Sequence, residues 1–479
     1  MFGKKTINKI RNKLFINAMR QTLREELPGI LQKIQGNRAE TIMDTKIILK
    51  EIVGDRGDQQ QDLRIILNEE LPKILNRSRI NCPTGINAST PEVSVEDLLN
   101  SRFRGLQPID SIHVNSDVKR LNLVTDSIEK NSLLGGVATA IIVAVMFCKK
   151  YKYSLRVITR NAVANPENFR KILEINGLDS FKDVEFYSDV ERNVQGKAIE
   201  KLTVAPNDVF FATSWWSAQA IKGTTIRKRF FYIIQEVETF FYPHGEDHYL
   251  CSRIMNDSNI DYIINSHYLN EYFMKNEKNI IKNGIFFEPA FSKKLYKINN
   301  FKNKKKKKLF FYSRPNNPRN MFHYGVYLLD LAIKTGVLDT EEWDIYFAGQ
   351  DVPKVCFSNG YKPINKGLMD WEYYGNFLGE IDLTLSLMYT PHPSYPPYDA
   401  ASSGSIVLTN KCLNKTDFSE CKNILMEELD EEKFMEKFEK AIELAKNMKV
   451  RKENFEKSTI SHDWNKNLVT VMSFMKDRI

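Results

Sequence analysis

Several protein classes are excluded by what the chain of 479 residues lacks. Its six cysteines (Cys82, Cys148, Cys251, Cys356, Cys412, Cys421) are scattered, with no C-x-x-C pair and no histidine at zinc spacing. That excludes a disulfide scaffold or a zinc ribbon and fits a reducing, cytoplasmic compartment. With only 22 glycines and 17 prolines, collagen-like and low-complexity readings fall away. No apolar run reaches the roughly 20 residues needed to cross a bilayer. The longest, Leu133 to Cys148, contains Gly135 and Gly136 and reads as a buried helix. Lys4, Lys5, Lys9, Arg11, Lys13 and Arg20 interrupt every apolar stretch at the N-terminus, so a signal peptide is not expected. Lys plus Arg (69) exceed Asp plus Glu (60) by only +9, too little at this length to point to nucleic acid. G-x-G-x-x-G, Walker, G-x-S-x-G and D-x-D motifs are all missing. Dehydrogenase, NTPase and hydrolase readings lose their support, and no metal or cofactor is expected.

What is present is material for large cores, 42% of residues being hydrophobic, and length for about three structural units. Residues 1–112 favour helix and read as a helical extension in which EELPGIL (25–31) returns as EELPKIL (69–75). Its first 20 residues pair basic positions with Phe2, Ile7, Ile10, Leu14, Phe15 and Ile16. That pattern suits either an amphipathic helix on an anionic membrane surface or a solvated helix. The remainder of the extension could join subunits of a homo-oligomer.

From about residue 118 short β-rich runs alternate with helix-length segments, the pattern of βαβ units. Strands are predicted at 120–125, 155–160, 184–188, 209–214, 230–235 and 261–266, then at 309–314, 343–349, 381–387 and 405–410. Helices are predicted near 321–335, 368–379, 396–404 and 431–448, with a closing helix at 463–477. The expected fold class is α/β: a Rossmann-like domain over 113–300, a second over 301–455, and a C-terminal segment, 456–479, packing back on the first. Lys304 to Lys308 read as a solvated linker or as a phosphate-binding patch. Ligands of such sheets bind outside the carboxyl ends of the strands, so chemistry is sought in those loops.

Gly135 and Gly136, at the start of the helix after the first strand, let backbone N–H groups approach a phosphate or sugar; a tight structural turn is an equal reading. Gln235, Glu236, Glu238, Tyr242 and His244 follow a later strand, mixing carboxylates, an amide and aromatic faces as carbohydrate sites do. A surface loop would carry the same residues. In FFYSRPNNPRN, Arg314 follows the first strand of the second domain, with Asn316 and Arg319 before the next helix; guanidinium groups there suit a diphosphate, and an ion pair is the alternative. His392, Ser394 and Tyr395 sit at another strand exit. Asp399, near a helix start, could accept bonds from vicinal hydroxyls or simply favour the helix dipole.

SLLGGVATA (132–140), IIQEVETFFYPHGE (233–246), INSHYL (264–269), FFYSRPNNPRN (310–320) and MYTPHPSYPPYDAASSG (388–404) together resemble GT-B glycosyltransferases. Within that fold they resemble the family 4-like rhamnosyltransferases that build bacterial surface rhamnans, including S-layer glycans. The resemblance covers about residues 115–479. It implies retaining, metal-independent transfer from a nucleotide-sugar, dTDP-L-rhamnose, to a lipid-linked or oligosaccharide acceptor, by a cytoplasmic or peripheral inner-membrane enzyme. It also implies donor contacts at Gly135, Gly136, Arg314, Asn316, Arg319, His392, Ser394, Tyr395 and Asp399. Acceptor contacts fall to Gln235, Glu236, Glu238, Tyr242 and His244, with Arg314, Glu236 and Asp399 at the chemistry. Two departures stand out: Asp399 falls where the family has Glu, and the Glu-x7-Glu pattern is incomplete, His392 occupying the position seven before the site expected for its first carboxylate. The Asp399 departure motivates an alternative, a GT-B-fold glycan-binding or polysaccharide-assembly protein without turnover.

Overall fold

A computed structural model describes residues 104–129, 135–190, 200–224, 228–296 and 304–479, with isolated positions beside them. Residues 1–93, and with them the N-terminal repeat and the basic stretch over 1–20, lie outside the described residues, as do Ser132 to Leu134 of the glycine loop. The chain divides into two units, Met1–Arg104 and Gly105–Ile479; the fold below is that of the second.

Its first lobe holds strands β1 (Ser111–His113), β2 (Arg120–Thr125), β3 (Ser154–Thr159), β4 (Val184–Ser188), β5 (Leu202–Val204), β6 (Asp208–Ala212), β7 (Phe230–Ile234), β8 (Ile260–Asn265) and β9 (Gly284–Phe287). Seven form one parallel sheet in the order β4-β3-β2-β6-β7-β8-β9, while β1 and β5 pair separately. The second lobe holds β10 (Lys307–Tyr312), β11 (Trp343–Ala348), β12 (Ile364–Asn365), β13 (Leu383–Leu385), β14 (Ile406–Asn410) and β15 (Ile424–Glu427). They form a parallel sheet in the order β12-β11-β10-β13-β14-β15. In both sheets the order reverses beside the first long strand, between β2 and β6 and between β10 and β13, which opens a ligand crevice at the carboxyl ends.

Period-two alternation with both sets apolar explains these sheets. Phe211 and Ile233 face one core while Phe210, Tyr232 and Ile234 face the other. Phe311 and Phe347 likewise oppose Phe310 and Tyr346 in the second lobe. Helix α1 (Gly136–Tyr151) carries the long apolar run and is buried along most of its length. The chain ends in two short helices, Trp464–Asn467 and Val469–Asp477, whose Trp464, Leu468, Val471, Met472 and Met475 pack into the first-lobe core with α1.

Two expectations are corrected. Residues 105–112, read as part of the helical extension, belong to the first lobe, because Ser111–His113 pairs in parallel with Leu202–Val204. Lys307 and Lys308, read as linker or phosphate patch, are strand residues at the amino end of β10, away from the crevice. Lys304, Lys306 and Lys308 there meet Asp382, Asp344 and Glu380.

Candidate active site

The carboxyl ends of the two sheets enclose one cavity of about 470 Å³. On the second-lobe side, β10 runs into Ser313 and Arg314. The strand exit is tight: a Cβ on Gly349, after β11, would lie 1.6 Å from the carbonyl oxygen of Ser313, so only glycine fits. Arg314 is exposed, lines the cavity and has no ion pair among the described residues; its hydrogen-bonding neighbour is the Tyr312 hydroxyl. Arg319, in the short turn Pro318–Asn320, crosses to the first lobe, where its Nη1 donates to Glu236 Oε2 at 2.8 Å. Its guanidinium stacks 4.1 Å above the Phe241 ring. Asn316 is turned elsewhere, donating to Asp351 at 2.9 Å, and does not line the cavity.

The proline-rich loop after β13 supplies the rest of this wall. His392 is buried, and its Nδ1 accepts from the Ser394 N–H at 3.0 Å, which leaves the ring proton on Nε2. Burial, reinforced by Lys415 and Arg319, pushes its pKa down to about 3, so it is neutral at physiological pH. Lys415 is fully buried and braces the loop by donating to the Met388 carbonyl at 2.8 Å. Ser394 adopts a left-handed backbone (φ 66°) just before helix Tyr395–Ser402, whose first turn contains Pro396 and Pro397. These prolines remove two of the N–H groups that a helix start usually offers an anion.

Tyr395 does not point at the second lobe's own crevice. Its hydroxyl meets Thr139 Oγ1 at 2.7 Å and accepts from Asn265 Nδ2 at 2.6 Å, both in the first lobe. The glycine loop makes room for it: Gly135 (φ 93°) would place a Cβ 3.3 Å from the Tyr395 ring. Gly136 in turn gives its carbonyl to Gln235 Nε2 at 2.7 Å. Asp399 is buried, with Tyr374 donating to Oδ2 at 3.5 Å, Tyr296 beside it and Oδ1 without a partner. Burial pushes its pKa up to about 7.

On the first-lobe side, Glu236 is buried and uses both oxygens. Oε1 accepts from the Val237 N–H at 3.0 Å, and Oε2 accepts from Arg319 and, at 3.2 Å, from Thr390 Oγ1. Burial raises its pKa, opposed by Arg319. Glu238 accepts from the N–H of Trp215 at 2.8 Å, capping helix Trp215–Gly223, and burial pushes its pKa up to about 8. Tyr242 accepts from Trp215 Nε1 at 2.9 Å and His244 stacks on His248; neither lines the cavity.

Thus Gly135, Gly136, Gln235, Glu236, Glu238, Arg314, Arg319, His392, Ser394, Tyr395 and Asp399 are brought to one cavity, while Asn316, Tyr242 and His244 are not. Phe241 also lines it, as do Asp126, Trp216, Tyr296, Tyr312 and Tyr374, which the sequence did not single out. Asp126 and Trp216 carried a usable signal, since each follows a strand, β2 or β6, at the point where the sheet order reverses. Among the described residues no group of three or more His, Cys, Asp or Glu side chains is placed to hold a metal ion.

A family model described as the N-terminal domain of WsaF matches residues 120–266, and one described as the C-terminal domain of WsaF matches 307–439. A curated relative, the O-antigen biosynthesis protein RfbC of Myxococcus xanthus, is 27% identical over 218 residues. The match spans 42% of this chain and 15% of the length of that protein. Among solved structures, TarM aligns with a TM-score of 0.54 at 10% identity, over 74% of this chain and 98% of that one. Sucrose-phosphate synthase from Thermosynechococcus elongatus aligns with a TM-score of 0.52 at 10% identity, over 75% and 98%. Identities this low speak to the fold alone. The two WsaF domain models fall in order on the two lobes, and the chain belongs to the WsaF family of GT-B-fold glycosyltransferases.

Proposed function

We propose that the protein is a retaining glycosyltransferase that moves L-rhamnose from dTDP-L-rhamnose to a growing bacterial surface glycan, without a bound metal or cofactor. The observation that carries this reading is Arg314, an exposed guanidinium with no ion pair among the described residues, opening into the cavity at the switch point of the second sheet. A diphosphate there gains charge-assisted hydrogen bonds, and a second guanidinium, Arg319, stands close enough to feel the Arg314 charge. In this reading Arg319 turns from Glu236 to the diphosphate as the donor binds.

The acceptor hydroxyl oxygen then bonds to the anomeric carbon on the face from which the phosphate departs. The carbon–oxygen bond to phosphate breaks, and the leaving phosphate oxygen takes the acceptor proton. No side-chain base is required, and the protein contributes positioning and charge stabilisation. Tyr395, hydrogen-bonded across the lobes, keeps the cavity closed on its contents. The S. aureus TarM structure holding UDP and alpha-GlcNAc-glycerol contains a nucleotide and a glycoside, the two chemical classes proposed here.

No helix of the described residues is long and apolar enough to cross a membrane. We place the enzyme at the cytoplasmic membrane face through residues 1–20; loss of liposome binding on their deletion is the expected result. A second reading, glycan binding without turnover, is favoured by Asp399, whose buried carboxyl group is engaged by Tyr296 and Tyr374. Thermal shift with UDP, GDP, dTDP and their sugars, with and without Mg²⁺, tests the donor site. Ligand at about 100 Kd stabilises by roughly 2.7 kcal/mol, and a metal-independent response to dTDP or dTDP-rhamnose is expected. Absence of nucleotide release with any acceptor would favour the second reading.

A further inference from the structure

Hydrogen bonding in the first-lobe wall leaves little of the expected acceptor set available. Glu236 has both oxygens engaged, Glu238 is bound to the start of helix Trp215–Gly223, and Tyr242 and His244 lie off the cavity. Asp126 remains. It follows β2 directly, at the reversal of strand order, and lines the cavity partly exposed. Trp216 Nε1 donates to its Oδ1 at 2.7 Å, while no donor among the described residues reaches Oδ2. Trp216 also lines the cavity, braced edge-on by Trp215 with ring centroids 6.2 Å apart.

We propose that Asp126 and Trp216 form the acceptor-sugar subsite, the carboxylate accepting from a ring hydroxyl while the indole covers the apolar face of the pyranose. A carboxylate oxygen with no partner among the described residues, beside a fixed aromatic face, suits a neutral polyhydroxylated ring, since hydroxyls satisfy the oxygen and C–H groups lie on the indole. Phosphate does not suit it: Asp126, Glu236 and Glu238 give this wall its acidic groups, and the guanidinium that reaches it, Arg319, is held by Glu236. The Trp216 hydrogen bond fixes the carboxylate before the sugar arrives, which lowers the ordering penalty of binding. The assignment rests on the glycosyltransferase reading and names the group that this reading leaves unspecified.

The test uses the full chain and methyl α-L-rhamnopyranoside as probe, titrated by saturation-transfer NMR, with dTDP affinity measured in parallel. Wild type should bind the glycoside saturably, Asp126→Ala and Trp216→Leu should weaken it at least tenfold, and dTDP affinity should stay within twofold. If either variant fails to fold, Asp126→Asn, nearly isosteric and able to keep the Trp216 bond, should still weaken the glycoside at least threefold. A wild-type chain that shows no saturable glycoside binding, or an Asp126 variant within twofold of wild type, overturns the subsite. Glycoside binding that depends on Asp126 in a chain that ignores dTDP and UDP would support the subsite and count against the donor reading.

Discussion

Both lobes carry cavity residues on loops after equivalent strands of a parallel sheet, yet at the switch point the second lobe offers the Arg314 guanidinium where the first offers the Asp126 carboxylate. Arg314 follows β10 as Asp126 follows β2, and each faces the cavity from the switch point of its own sheet. One architecture thus yields two ligand chemistries through the residue placed after the first long strand. The walls meet at the Arg319–Glu236 pair, where a residue expected to bind the donor is held by one expected to bind the acceptor. A pair buried in this way is sensitive to loss of either partner, because the remaining charge is left desolvated.

The largest effect expected from breaking this division is in Arg314→Ala. Removing a transition-state phosphate contact should lower kcat/KM for transfer by about 10²–10³, about 3–4 kcal/mol, with little change in melting temperature, read by nucleotide release. Next is the pH response of Asp399, whose folded pKa stands near 7 against an ordinary 3.8. Because the native state holds this proton more tightly, its stabilisation is full below the ordinary value and is lost as pH rises toward 7. Asp399→Asn should therefore flatten the fall in stability across that window by on the order of a few kcal/mol, read from denaturation midpoints at several pH values.

Glu236→Gln sharpens the comparison at its seam. It frees Arg319 from a competing charge, so dTDP affinity should rise about fivefold, about 1 kcal/mol, while the unliganded protein melts earlier; calorimetric titration reads both. The smallest effect is in Tyr242→Phe. It removes the acceptor of the Trp215 Nε1 bond, lowering stability by about 1 kcal/mol in denaturant, and should leave transfer within twofold because Tyr242 lies off the cavity.

The strands were legible because both faces of each sheet are apolar, so runs such as VFFA and FFYII stand out from their helices. Ile364–Asn365 and Leu202–Val204 were not, being too short to show a period. Lys307 misled for a physical reason: a lysine run reads as solvated, yet this one runs into strand β10, which buries the Lys307 side chain. Arg314 was legible, since a lone arginine after a strand needs only local context. The bond from Tyr395 to Thr139 spans 256 residues, and Arg319 meets Glu236 across 83. Such pairings depend on how two lobes face each other, which no local pattern encodes. Glu238 and Tyr242 were assigned to a sugar from their side-chain chemistry, but the start of a buried tryptophan helix satisfies them first.

The most direct test of the divided cavity is the affinity of the purified chain for dTDP, without Mg²⁺, in wild type, Arg314→Ala and Asp126→Ala. Strong binding in wild type and Asp126→Ala, with a large loss in Arg314→Ala, is the expected result. Equal affinity in wild type and Arg314→Ala, or a loss confined to Asp126→Ala, would place the nucleotide elsewhere and contradict it.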